Sequence, residues 1–258
     1  MKTVFAIAFL LIAGGISQFA CAADWADLKM TFVLKGTPPK PSAVVGKERD
    51  PICAALPILS ESMLINAKNN GIQNVGFYID TRNYKIKEIH PDLKAVPANK
   101  VVLDNKNCVF VPHVLIVRPG QTITAKNSDK TGHNCNFSGF FNNTAENFAL
   151  PPGASRDKII DQPERGVSPV DCGSHPWMKA YIIAQDHPYV GLSNADGVLS
   201  IAKLPTGKVA FRVWHENAVI DEVMLNGKKA KWDKASLELE LKIGMNEYKV
   251  EVDAARFK

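Results

Sequence analysis

Apolar and polar residues alternate with a period of two along much of this chain, and clusters of glycine, proline and asparagine repeatedly cut the alternation. Such a pattern turns one face of an extended strand to a core and the other to water, and it leaves little room for helices. Val75, Phe77 and Ile79 alternate with Gly76 and Tyr78 just after Asn69-Asn70-Gly71. Ile123 and Ala125 alternate with Thr122, Thr124 and Lys126, and Val209, Phe211 and Val213 alternate with Ala210, Arg212 and Trp214. Leu237, Leu239 and Leu241 alternate with Glu238 and Glu240, after which Gly244 to Asn246 turn the chain into Tyr248, Val250 and Val252. A helical turn is expected only in short stretches such as residues 50–59, where Pro51 and Pro57 limit it. The fold class read from this pattern is all-β.

Residues 1–22 read as a signal peptide: Lys2 is the positive end, Val4 to Ile12 the apolar run and Ala20-Cys21-Ala22 the small-residue cleavage site. Cleavage is expected after Ala22, with the product in the periplasm. A lipid anchor at Cys21 is disfavoured, because Gln18-Phe19-Ala20 lacks the leucine and small residues that usually precede a lipidated cysteine. No other stretch approaches the roughly 20 apolar residues of a membrane span. The formal charge of +5 falls to +4 once Lys2 leaves, and the excess is spread along the chain. It gives no case for nucleic-acid binding. The remaining length predicts one larger and one smaller unit. A boundary at Asp186-His187-Pro188 divides them into residues 23–187, with an N-terminal extension, and residues 188–258. Residues 35–47 and 142–156 are rich in turn formers and are expected to be loops.

Chemistry concentrates in Cys172-Gly173-Ser174-His175-Pro176-Trp177-Met178. A thiolate, an imidazole and a thioether at this spacing can all turn inward from one tight loop. Two histidines, one cysteine and a weak axial methionine are the blue-copper donor set, so a second imidazole must arrive from elsewhere. His133 is the best candidate, since it follows the strand and turn of Val117 to Asp129 and precedes Asn134. Zinc normally prefers two or more thiolates or three histidines, and methionine is a poor zinc ligand. His90, His113, His187 and His215 read as hydrogen-bonded structural residues, and no His-x-His pair suggests a further copper of the kind that multicopper oxidases carry.

In these residues the chain resembles the cupredoxin family, and most closely its amicyanin and plastocyanin-like branch. The resemblance rests on the turn at Gly120, the strand from Ile123 to Asn127, His133-Asn134, Gly166 and the short Cys172 to Met178 loop, and it covers residues 114–184. It implies a cupredoxin-type Greek-key β-sandwich with one type 1 copper ion. His133 and His175 would bind through imidazole nitrogens, Cys172 as thiolate and Met178 as a distant axial ligand, with Asn134 bracing the two ligand loops. Val170 stands where family members often place an aromatic residue, and Asp171 and Cys135 are unusual neighbours. The implied activity is one-electron transfer with a redox protein partner, not enzymatic turnover. A copper-holding or delivery protein, or a structural β-module whose metal only stabilises the fold, are the alternatives. The ring edge of His175 should be the ligand nearest solvent, with Pro176 and Trp177 offering apolar docking surface beside it. With Cys172 on copper, an oxidising compartment favours a Cys53–Cys108 bridge, leaving Cys135 as a small buried residue. Residues 194–213 resemble a carboxypeptidase-regulatory or transthyretin-like β-module, which implies a smaller, non-catalytic β-sandwich. The combination resembles exported methylamine-utilisation-like proteins.

Overall fold

The computed structural model describes residues 25–257, so the leader read at residues 1–22 lies outside them. Unbroken alternation makes the first strand: Ala26, Leu28, Met30, Phe32 and Leu34 are all buried along β1 (Trp25–Lys35). There follow β2 (Gly76–Ile79), β3 (Val101–Lys106), β4 (Val109–Val111), β5 (Val114–Val117), β6 (Thr122–Asn127), β7 (His133–Asn136), β8 (Asn147–Leu150) and β9 (Ser155–Ile159). Then come β10 (Val167–Asp171), β11 (Lys179–Ala184), β12 (Val190–Leu192), β13 (Val198–Pro205), β14 (Gly207–Trp214), β15 (Glu222–Leu225), β16 (Lys228–Lys231), β17 (Ser236–Leu241) and β18 (Gly244–Asp253). The one α-helical turn among the described residues, α1 (Pro51–Ala54), falls inside residues 50–59 as expected, with Pro51 in its first turn and Asp50 as its cap. No helix among the described residues is long and apolar enough to cross a membrane.

Four sheets form two sandwiches. One pairs the sheet β5-β11-β10-β7-β8 with β4-β3-β6-β9, over a core that includes Leu103, Phe110, Ile123, Phe137 and Met178. The other pairs β13-β1-β18-β15-β16 with β12-β2-β14-β17, over Met30, Phe32, Phe77, Phe211, Leu239 and Val250. Their outer faces meet at a seam of Tyr78, Val114 and Ile183. Strand β2 is therefore buried on both faces, although its alternation predicts only one. Gly76 leaves room there for Ile183, whose Cδ1 would stand 2.8 Å from an added Cβ. His113 reinforces the seam, with Nε2 on Glu216 and Nδ1 3.6 Å from Glu61. Burial alone would lower this imidazole, but the two carboxylates outweigh it and push it up to about 9.

The sheets do not divide at residue 187. β1 lies between β13 and β18 and runs parallel to β18 from Ala26–Gly244 to Lys35–Asp253, while β2 lies between β12 and β14. The N-terminal extension grouped with residues 23–187 thus belongs, through these strands, to the sandwich built mainly from residues after 188. Strand alternation reveals that a segment is extended but not which strand it pairs with. The long loop expected at residues 142–156 also holds β8, which pairs with the His133 strand.

Two buried histidines are expected to weaken this fold in acid. His187 Nδ1 accepts the N–H of Tyr189 at 3.2 Å, and His215 Nδ1 accepts that of Asn217 at 3.2 Å, so each ring is held neutral. Burial lowers both from the ordinary 6.5 to about 4. The unfolded chain therefore binds protons more readily in that window. Stability is fully present above about 6.5 and is lost as pH falls through it, on the order of 3 kcal/mol for each ring. Urea midpoints at pH 7.5 and 4.5 should differ accordingly, and His187→Gln should shrink the difference. Equal midpoints in the wild type would contradict this.

Candidate metal centre

Cys172 to Met178 link β10 and β11, which pair antiparallel. Backbone bonds close the loop: His175 N–H donates to Cys172 O at 3.2 Å, Met178 N–H to His175 O at 2.8 Å and Cys172 N–H to Met178 O at 3.2 Å. This winding turns Cys172, His175 and Met178 inward, and all three are buried. His133 enters from the first position of β7. Its approach is fixed by Asn127, a wholly buried residue whose Nδ2 donates to Thr131 O and Leu150 O, both at 2.8 Å.

The structure thus brings together residues that lie far apart in sequence. His133 Nδ1 and His175 Nδ1 stand 2.9 Å apart, with Cys172 Sγ 3.9 Å and 3.6 Å from them. Asn134 ties β7 to the Cys172–Met178 loop, as the resemblance implies: its backbone N–H meets Cys172 Sγ at 3.4 Å, and its Oδ1 accepts from Gly173 N–H at 2.8 Å. Asn147 of β8 accepts from its Nδ2 at 2.8 Å, fixing the amide. Met178 lies in the same core cluster as Cys172.

Two carboxylates that sequence reasoning passed over complete the surroundings. His133 Nε2 bonds Asp129 Oδ2 at 2.9 Å, and His175 Nε2 bonds Asp50 Oδ2 at 3.0 Å. The signals were present: Asp129 precedes His133 by four residues, and Asp50 stands before a proline as a helix cap. What the sequence does not contain is the folding-back of residue 50 onto residue 175. Burial would raise the Asp50 carboxyl, but hydrogen bonds from Thr131, His175 and the Cys53 and Ile52 amides hold it down at about 2. Burial, helped by the neighbouring His175 ring, lowers the His133 imidazole against the pull of Asp129.

The donor atoms fit copper. With both Nε2 atoms engaged by carboxylates, the nitrogens left free are the two Nδ1 atoms, and they face a buried sulfur. The nitrogens and the sulfur all lie within 4.8 Å of one another. Borderline imidazoles beside a soft sulfur suit copper better than a hard, oxygen-seeking cation.

Cys53 and Cys108 are bridged, and Cys135 is free and buried. Desolvation pushes the Cys135 thiol up to about 12, and Asn105 Nδ2 donates to it at 3.4 Å. The His175 side chain is the most exposed of the four candidate ligands, but its ring edge barely reaches the surface. The residue is only 4 % exposed, because Asp50 covers its outer nitrogen. Trp177 is half-buried, with Nε1 donating to Cys108 O at 2.9 Å.

No protein-family model and no curated protein sequence matches this chain. Among solved structures it is similar to a reduced Cu(I) form of an amicyanin variant at pH 4, at 20 % identity over 36 % of this chain and 93 % of that one, with a TM-score of 0.31. A Cu(I) structure of a second amicyanin variant matches at 20 % identity over 39 % and 97 %, with a TM-score of 0.31. The copper-containing nitrite reductase of Thermus scotoductus SA-01 matches at 18 % identity over 42 % of this chain and 26 % of that chain, with a TM-score of 0.32.

Proposed function

We propose that this is an exported type 1 copper protein that carries single electrons between redox protein partners in the periplasm. The observation that carries the reading is the buried convergence of His133 Nδ1, His175 Nδ1 and Cys172 Sγ. Bound copper supplies a one-electron couple at neutral pH. The chain's part is to keep the donors still. The hydrogen-bonded 172–178 loop fixes three of the proposed ligands, Asn134 locks that loop to β7, and the surrounding core excludes water. Donors held this way change little when the charge of the metal changes, which favours electron cycling over delivery of the ion. Met178 is assigned the weak axial position from its place in the loop.

The test is the absorption spectrum of the mature protein titrated with Cu(II). An intense visible thiolate-to-copper band at one equivalent is expected, and a colourless complex would refute the assignment. Met178→Leu should keep the band and raise the midpoint potential, because loss of an axial donor disfavours the more highly charged ion. Voltammetry of the two proteins checks the direction of that shift.

A further inference from the structure

His133 and His175 present Nδ1 to Cys172 because each outer ring nitrogen is held by an aspartate. An ionised carboxylate can only accept, so Nε2 must carry the proton and Nδ1 is left to face inward. The two aspartates are anchored alike. Asp129 accepts the Cys108 N–H on Oδ2 at 2.8 Å and the Asn107 N–H on Oδ1 at 2.6 Å. Asp50 accepts the Ile52 and Cys53 N–H groups on Oδ1 at 2.8 and 3.2 Å, and the Thr131 hydroxyl on Oδ2 at 2.6 Å. Each carboxylate thus spans one imidazole and the amide of one half of the Cys53–Cys108 cystine. The sulfurs lie close as well: Cys53 Sγ is within 4.8 Å of a His175 nitrogen, and Cys108 Sγ within 4.8 Å of a His133 nitrogen.

We propose that Asp50, Asp129 and the Cys53–Cys108 cystine form a clamp that positions both imidazoles for the metal and seals their outer edges against metal exchange. The metal half of this proposal rests on the function proposed above. The aspartates are positioning residues that act through the rings. A carboxylate on the far nitrogen makes an imidazole a stronger donor, and losing such a partner typically weakens metal binding about 10- to 100-fold. A stronger donor favours Cu(II) over Cu(I), so the clamp lowers the potential. Sealing follows from the seat of α1. The turn belongs to no sheet, and the cystine joins it covalently to Cys108, in the turn between β3 and β4, whose N–H also anchors Asp129.

The experiment uses the mature chain and its Asp50→Asn variant. Asparagine caps a helix as well as aspartate does, so α1 is retained while the charge beside His175 is removed. Copper-loaded D50N should have a higher midpoint potential and should lose Cu(II) to excess EDTA at least tenfold faster. The double variant Cys53→Ser/Cys108→Ser should also lose Cu(II) at least tenfold faster, with its potential little changed. A purely structural tie would leave the D50N potential where it is, and an unchanged potential with an unchanged release rate overturns the proposal. Nitrogen-resolved NMR of the metal-free wild type supplies a separate arm. Hydrogen-bonded Nε2–H protons are expected on both His133 and His175, with the His175 signal lost in D50N. Their absence from the wild type would overturn the clamp alone. Their presence in a protein that takes up no copper would overturn the function and the metal half of the clamp together.

Discussion

Replacing Cys172 with serine is expected to abolish the visible band of the copper-loaded protein completely. The band is a charge transfer from sulfur, and a serine hydroxyl is too hard a donor to replace it. The fall in copper affinity should exceed the roughly 10- to 100-fold typical of losing a partner outside the ligand set. Cys135→Ser is the matched control. Cys135 is equally buried, two residues beyond His133, but its sulfur bonds Asn105 and its thiol is pushed up to about 12, out of reach of ionisation near neutral pH. The band should survive in that variant. A coloured C172S or a colourless C135S would move the site to the other cysteine.

The second large effect is expected from a chain ended after His187. Residues 23–187 form the first unit in the sequence reading, and they include all four proposed ligands. In the structure such a chain strips β1 of β13 and β18, and β2 of β12 and β14. Phe32 and Phe77, wholly buried in the intact protein, would then face water along two unpaired strands. The truncated chain should aggregate through these strands, although the sandwich of residues 101–184 keeps all its strand partners. A soluble monomer would show that β1 and β2 are dispensable. In the full-length protein Phe32→Ala tests the same packing, with an expected loss of about 3 to 5 kcal/mol in denaturant unfolding. A loss below 1 kcal/mol would mean that β1 contributes little to that core.

Much of this architecture can be read from residue order, because alternation is a local property. Ile123 and Ala125 on β6, and Leu237, Leu239 and Leu241 on β17, are buried as their spacing demands. The convergence of His133 on the Cys172–Met178 loop was likewise foreseeable, as was the Cys53–Cys108 bridge. Tertiary pairing was harder to foresee. β1 carries the cleanest alternation of all, but nothing in Ala26 to Leu34 names β18 as its neighbour. Asp50 was similarly opaque. Its capping role is written in Asp50-Pro51, whereas its contact with His175 depends on a chain reversal that only the bridged Cys53 and Cys108 make visible. His175 is the most exposed of the four candidate side chains, but the same chain reversal leaves it almost wholly covered.

The parallel pairing of β1 with β18 sets an order of events during synthesis. β1 is the first of the described strands to be made, and one of its two neighbours is the last. Every strand partner of the sandwich that holds the candidate ligands lies between residues 101 and 184, so that sandwich can close while the C-terminal strands are still being delivered. β1 can pair with β13 once that strand is made, but its other edge stays open until β18 arrives. Pairings this distant in sequence form late and slowly. A strand edge left open during synthesis is where association with other chains begins. A slow step late in synthesis would therefore be felt at the far end of the fold from the residues still being made.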